Sequence, residues 1–188
     1  MKVAFLKSWI LLIAMAAVLG SAFHAHAVRP SEYQVKAVFL YNFAKFVEWP
    51  EAALPDTATT LVIGILGEDP FGDAFASIEG KTVKGRELVI KRFAELPDLE
   101  PCHILFISSL EKKRLSAILE HIKTSSILLV SEMEDFTQKG GMVNFVLQKK
   151  KVRFEISIET SEEAGLKLSS RLLKLALNIK GGQRGAQQ

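Results

Sequence analysis

Cysteine is nearly absent from this chain, since Cys102 is the only one among 188 residues. An intramolecular disulfide is therefore excluded, and the fold must depend on its hydrophobic core. Cys102 opens an apolar run that continues to Ile107. A cysteine in such a run is typically a small buried hydrophobe, and we predict this role for Cys102. A reactive or dimer-linking thiol is the alternative.

The N-terminal segment has the features of a secretory signal peptide. Two lysines precede an apolar run over residues 9–20, which is too short to span a bilayer comfortably. The motif Ala25-His-Ala27 then offers small residues at a cleavage site. We expect residues 1–27 to be removed and the protein to be periplasmic, without insertion into the membrane.

Removal of residues 1–27 leaves 161 residues, which is enough for one domain with a core of its own. We predict a single α/β domain over residues 28–180 and a flexible tail over residues 181–188. The formal net charge falls from +3 to +1 when the two leader lysines are lost. A nearly neutral surface argues against nucleic acid as a partner, because phosphate binding needs a concentrated basic face.

Histidine is also scarce, because only His103 and His121 follow the leader. His103 stands beside Cys102 without the spacing of a zinc motif. His121 falls near the end of a predicted helix, where an imidazole can meet exposed carbonyl groups. The glycines match no phosphate-binding loop, and no nucleophile is paired with a base. We therefore predict no catalytic residue, no metal and no cofactor. An enzyme is the less favoured alternative.

Helical and strand patterns alternate along most of the chain. Ser31 and Gln34 have capping-box spacing, which predicts a helix over Glu32–Glu48 ended by Pro50. Strand and helix signals then follow one another, which predicts a mostly parallel sheet flanked by helices. The predicted strands are Leu61–Leu66, Glu87–Phe93, His103–Ile107 and Ile127–Val130, and the predicted helices are Phe71–Ile78 and Leu110–Ile122.

The pattern changes after the Gly140-Gly141 pair. Strands over Met142–Gln148 and Lys151–Glu159 predict an antiparallel hairpin with one core face and one wet face. A final helix is predicted over Ser161–Asn178. The first and last helices carry apolar side chains around more than one stripe. Either both helices are sandwiched in the core, or the excess forms an interface with a second copy or a protein partner.

Four segments together resemble one known family. The stretch YQVKAVFLYNFAKFVEWP, residues 33–50, resembles the opening motif of the YfiR family of periplasmic proteins. Residues 102–108, residues 140–145 with 152–156, and residues 164–176 match further motifs in the same order. The resemblance implies a homodimeric repressor that binds the periplasmic sensor domain of an inner-membrane diguanylate cyclase and holds it inactive. It also implies a role in cyclic di-GMP signalling and biofilm regulation.

The chain departs from the family pattern at two positions. Characterised members carry disulfides, which a lone Cys102 excludes here. Ser157 stands where an asparagine is expected, and we expect this change to weaken a local turn or cap.

If the protein is a repressor, we expect its partner-binding surface to lie on the hairpin and the last helix. We expect a polar rim on the wet face of the hairpin and apolar contacts from the helix. The expected partner-binding residues are Asn144, Arg153, Glu155, Leu166 and Leu173. Arg153 and Glu155 could instead be ordinary solvated strand residues.

A small-molecule-binding sensor that acts on another receptor or sensor kinase is the alternative function. A parallel sheet offers a crevice at the carboxyl ends of its strands. In this chain, that crevice is expected near Gly67–Phe71 and Ser108-Ser109.

Overall fold

The computed structural model describes residues 30–181. The expected signal peptide and all of the expected tail beyond Gly181 lie outside these residues. The α-helices are α1 (Glu32–Phe46), α2 (Leu115–His121), α3 (Ile158–Glu163) and α4 (Ser170–Leu175). The strands are β1 (Val47–Glu48), β2 (Thr60–Leu66), β3 (Thr82–Val83), β4 (Arg86–Phe93), β5 (Ile104–Ile107), β6 (Leu128–Ser131), β7 (Val143–Gln148), β8 (Lys151–Ser157), β9 (Lys167–Leu168) and β10 (Asn178–Lys180). Short 3-10 helices cover Gly72–Ser77, Leu96–Asp98 and Ser109–Lys113.

The main sheet has eight strands in the order β10-β8-β7-β6-β5-β2-β4-β3. Neighbouring strands are parallel except in the β7–β8 hairpin and the short β3–β4 pair. A separate antiparallel pair joins β1 to β9. This mixed α/β architecture, with a mostly parallel sheet, flanking helices and a C-terminal hairpin, confirms the predicted fold class.

The centre of the sheet is buried because its strands are continuous apolar runs. Every residue of β5 and β6 is buried, as is typical of parallel strands covered on both faces. Helix α1 covers one face of the hairpin, with Phe43 5.8 Å from Phe145 and 5.1 Å from Phe154 between ring centroids. Aromatic pairs at such separations stabilise a core beyond the area they bury.

Helix α1 begins as the sequence predicts and ends slightly earlier. The capping box of Ser31 and Gln34 is present. The helix ends at Phe46, because the next two residues form β1 and pair with β9. Most of its apolar side chains are buried or packed against the core, and Val38 is the one large exposed hydrophobic side chain of the helix. Most of the apolar excess of α1 is therefore core, which agrees with the first of the two alternatives for this helix.

The predicted single helix over Ser161–Asn178 is wrong. The chain forms α3, the short strand β9, α4 and β10 instead. Gly165 adopts a φ of +74°, which ends α3 in a conformation that glycine reaches easily. Ser169 then caps α4 by accepting a hydrogen bond from the backbone N–H of Leu172. Leucine spacing alone could not reveal these breaks, because pairing with β1 and β8 outweighs helix propensity.

Three further predicted boundaries also differ. Helix Leu110–Ile122 is a 3-10 turn followed by α2, and helix Phe71–Ile78 is a 3-10 helix. Strand β8 ends at Ser157, whose Oγ accepts from the N–H of Thr160 at 3.4 Å and so caps α3. We expected serine in place of asparagine at this position to weaken a local turn or cap. The structure shows that Ser157 itself forms the cap of α3.

Candidate partner-binding surface

The five residues expected to bind a partner do not form one exposed patch. Arg153 is exposed, and Glu155 and Leu173 are half-buried. Asn144 and Leu166 are buried, with 3% and 1% of their surfaces exposed. The structure therefore leaves three of the five accessible to a partner.

The placement of Asn144 on an exposed rim is wrong. Asn144 pairs with Glu155 of β8 on one side and with Ser131 of β6 on the other. Because β6 pairs with β7 as far as Asn144, the start of β7 lies inside the sheet, and the side chain of Asn144 on the face predicted to be wet is buried. Ser157, on the same face of β8, is likewise buried.

The placement of Leu166 on an exposed helical face is also wrong. Leu166 follows the turn at Gly165 and precedes β9, so it belongs to no helix. Its backbone N–H donates to the carbonyl of Ser161 at 2.9 Å, and its side chain belongs to the core. A partner cannot reach it without local unfolding.

The exposed apolar side chains of the C-terminal segment were not singled out by the sequence. Leu175, Leu177 and Ile179 are 53%, 36% and 41% exposed. Leu177 directly precedes β10 and Ile179 lies within it, and β10 pairs in parallel with β8 and forms one edge of the main sheet. Within residues 30–181, nothing pairs with the outer side of β10. We call Arg153, Glu155, Leu175, Leu177 and Ile179 the C-terminal edge surface.

The C-terminal edge surface wraps around the edge of the sheet. Ile179 lies opposite Ile156 in the register, so it projects from the face that α1 covers. Asn178 lies opposite Glu155, so it shares the other face with Glu155 and Arg153. The apolar residues of this surface and its polar residues, Arg153 and Glu155, therefore meet only at β10. A partner that pairs with this strand would therefore contact both.

A buried ionic cluster joins the start of α1 to the end of β6. The ammonium group of Lys36, which is 3% exposed, binds the carboxylates of Glu32 and Glu132. The hydroxyl of Tyr33 donates to Oε1 of Glu132 at 3.1 Å. Burial, together with the negative charge of Glu132, raises the pKa of Tyr33 to about 12. These groups therefore hold α1 against the carboxyl end of β6.

Sequence reasoning missed this cluster, although a signal was present. Lys36 occupies the same helical face as Leu40 and Phe43, which are fully buried. A lysine within such an apolar stripe needs an acidic partner. The partner Glu132 is 96 residues away and could not be identified from the sequence.

The contacts of His103 and Cys102 indicate structural roles for both residues. Nδ1 of His103 accepts a 2.9 Å hydrogen bond from the N–H of Val62, and burial lowers the pKa of the ring. Cys102 is 7% exposed, which confirms that it is buried, and burial raises the pKa of its thiol to about 12.

His121 ends α2, as predicted. Among residues 30–181, no cluster of three or more histidine, cysteine or acidic side chains is placed to hold a metal ion.

The space directly beside Gly67, where a crevice was expected, is closely packed. A Cβ atom on Gly67 would lie 2.9 Å from Oε1 of Glu111 and 3.2 Å from the Cβ of Ser108. The buried Glu111 side chain is itself held by Arg114 at 2.8 and 3.0 Å. The side chain of Glu111, from the 3-10 helix that follows β5, therefore packs closely against this end of β2.

Comparison with known proteins identifies the family. The profile of the YfiR/HmsC-like family matches residues 33–177. Among solved structures, a conserved domain protein from Vibrio cholerae is similar, with a TM-score of 0.50 and 12% sequence identity. The match covers 80% of this chain and 60% of that protein, so at this identity it shows the fold alone. A search of curated proteins gave no match.

The fold defines a mixed α/β protein with a mostly parallel sheet. The chain belongs to the YfiR/HmsC-like family. This family is associated with the regulation of diguanylate cyclases, and its members are periplasmic. No helix within residues 30–181 has the length and apolar character that a membrane crossing requires.

Proposed function

We propose that this protein represses a membrane-bound diguanylate cyclase by binding the periplasmic sensor domain of that enzyme. The observation that carries the proposal is the C-terminal edge surface, where three large apolar side chains lie in or next to an edge strand whose outer side has no pairing partner within residues 30–181. Apolar patches of this kind mark interfaces, and an open sheet edge can accept a strand from another chain. Family membership supplies the kind of partner.

Repression follows from linkage. A protein that binds the inactive conformation of a receptor more tightly than the active one shifts the receptor toward inactivity by the ratio of the two affinities. Strand addition at β10 would provide main-chain hydrogen bonds, and the side chains on the two faces would provide selectivity. Arg153 and Glu155 would contact polar groups on one face, and Leu177 and Ile179 apolar groups on the other.

Cyclic di-GMP measured in the native host tests the function. Deletion of the gene is expected to raise the concentration, and expression of the wild-type protein from a plasmid is expected to restore it. Unchanged concentrations after deletion would contradict the proposed repression.

Substitutions at the edge test the surface separately. Leu177→Asp and Ile179→Asp are expected to abolish restoration and to weaken binding to the purified sensor domain at least about tenfold, since a carboxylate would be desolvated on binding. Leu110→Asp is the matched control, because Leu110 is 68% exposed and follows β5, four strands from β10. Full repression by the edge variants would contradict the surface but leave the function standing.

The homodimer implied by the resemblance remains a prediction. Light scattering on the purified protein measures its mass directly. A monomeric mass at micromolar concentration would contradict it.

A further inference from the structure

The β7–β8 hairpin extends beyond both of its neighbours in the main sheet. Strand β6 pairs with β7 no further than Asn144, and β10 pairs with β8 only from Glu155 onward. Residues 146–148 and 151–153 therefore have no strand partner but each other among the described residues. With a rise of about 3.4 Å per residue, the strand from Asn144 to Gln148 is roughly 13 Å long. The tip of the hairpin is thus a two-stranded projection from the sheet.

Three consecutive lysines occupy the tip of this projection. Lys149 and Lys150 form the turn, and Lys151 begins β8. The φ angles of the two turn residues are +50° and +61°, a conformation that asparagine and glycine adopt most easily in a two-residue hairpin turn. The chain thus places two cations where the backbone disfavours lysine. Backbone outliers of this kind point to a role for their side chains.

The positive charge of the tip is not neutralised by its surroundings. The three lysines are exposed, and none of them forms an ion pair among residues 30–181. No acidic residue occurs in residues 137–153. Glu32 and Glu134 line the cavity beside the hairpin, but they are paired with Lys36 and Lys112, respectively. The tip therefore carries a local excess of positive charge.

An exposed apolar side chain lies beside these charges. Leu147 is 59% exposed, and its cross-strand partner is the half-buried Val152. Alternation places this pair on the same face as Phe145 and Phe154, whose rings pack against Phe43 of α1. The apolar row of the core therefore continues outward along the hairpin and ends at the lysines.

A lipid bilayer with anionic headgroups fits this combination. Lysines attract such a surface from water, and an apolar side chain next to them can enter the boundary between headgroups and acyl chains. A projecting tip also reaches a flat surface readily, whereas it provides no groove in which a peptide could lie.

We propose that the tip of the β7–β8 hairpin, Leu147 with Lys149–Lys151, docks on an anionic phospholipid surface. The three ammonium groups contact lipid phosphates, and Leu147 packs between the headgroups. The contact is peripheral and needs no membrane-spanning helix. None of these residues belongs to the C-terminal edge surface, so this proposal and the proposed repression can fail separately.

Sedimentation with lipid vesicles tests the proposal. The purified protein is expected to bind vesicles of phosphatidylcholine with about 30% phosphatidylglycerol, and to bind pure phosphatidylcholine at least about tenfold more weakly. Raising the salt concentration from about 0.05 M to about 0.5 M should weaken binding, because salt screens the attraction between lysines and phosphates. Equal binding to the two kinds of vesicle, or no binding to either, would overturn the proposal.

A double variant of the turn removes charge without endangering the fold. Lys149→Asn with Lys150→Gly supplies the sequence that this turn favours. Each lysine near such a surface contributes a factor of about five, so binding should weaken at least about tenfold. Lys45→Gln with Lys123→Gln is the matched control, since both lysines are exposed and lie outside the hairpin. Equal binding by the two double variants would show that only net charge matters, and the assignment to the tip would be overturned.

Leu147→Ser distinguishes a bilayer from an acidic polypeptide as the partner. This variant is expected to weaken vesicle binding several-fold and to leave any binding of poly-glutamate unchanged, because only a bilayer has an apolar layer. Unweakened vesicle binding by Leu147→Ser would overturn the proposal. Tighter binding of poly-glutamate than of vesicles, at equal concentrations of anionic groups, would assign the tip to an acidic polypeptide and would also overturn it.

Discussion

The backbone N–H of Val62 donates a 2.9 Å hydrogen bond to Nδ1 of His103, and the N–H of His103 donates to the carbonyl of Val62 at 2.9 Å. This reciprocal pair ties β2 to the residue that precedes β5. Since Nδ1 accepts, the proton of the neutral ring is on Nε2. Protonation of Nδ1 would place two donors against each other.

Stability should therefore fall on mild acidification. Burial lowers the pKa of His103 below its ordinary 6.5, so the unfolded chain binds more protons between the two values. The free energy of unfolding then rises with pH in this window, and it falls as the pH drops below about 6.5. Urea unfolding at about pH 7.5 and about pH 5 measures the effect. His103→Phe is expected to lower stability at the higher pH and to flatten the pH dependence. An unchanged slope in this variant would show that other groups cause the dependence.

Cys102 should resist thiol reagents in the native protein. Its pKa of about 12, raised by burial, compares with 9.0 for an ordinary cysteine. At neutral pH the thiolate fraction is then lower by about a thousandfold, and the thiolate is the reactive form. Reaction with Ellman's reagent is expected to be slow in buffer and complete in guanidinium chloride. A native rate equal to that of free cysteine would contradict the burial.

Leu166 and Leu177 lie in the same predicted helix but have different environments. Leu166 is 1% exposed, and Leu177 is 36% exposed. Leu166→Ala is expected to lower the free energy of unfolding by about 2–5 kcal/mol, because it leaves a cavity in the core. Leu177→Ala is expected to change it by less than about 0.5 kcal/mol. Chemical denaturation of both variants measures the difference, and similar losses would contradict the assignment of Leu177 to the surface.

These two leucines also show what the sequence could and could not predict. Buried runs such as Ile104–Ile107 identify strands because both faces of a parallel sheet are apolar, and the capping box at Ser31 is local. The fold class was therefore predictable. Whether a leucine at the C-terminus faces the core depends on β1 and β8, which pair with this segment over more than 100 and more than 20 residues of separation, respectively.

The candidate site was less predictable for the same reason. Arg153 was identified because alternation along β8 is a local pattern. Asn144 has the same alternation but is buried where β7 pairs with β6, and the sequence contains no signal for that pairing. The ionic cluster depends on Lys36 and Glu132, which only the folded chain brings together.

The buried pair of Lys36 and Glu132 should show strong energetic coupling. Lys36→Met leaves Glu132, which is 17% exposed, without its ammonium partner, and is expected to cost about 3–5 kcal/mol. The double variant with Glu132→Leu removes both charges and should recover much of that loss. A double-mutant cycle from urea unfolding is therefore expected to give a coupling energy above about 1 kcal/mol.

The exposed pair of Lys91 and Glu100 is the matched control for this cycle. Its atoms are 2.5 Å apart, but the side chains are 39% and 60% exposed, so water screens the attraction. Lys91→Met and Glu100→Leu should give a coupling energy below about 1 kcal/mol. Equal coupling in the two cycles would mean that Lys36 is solvated in solution. In that case the tie between α1 and the end of β6 would have to be abandoned.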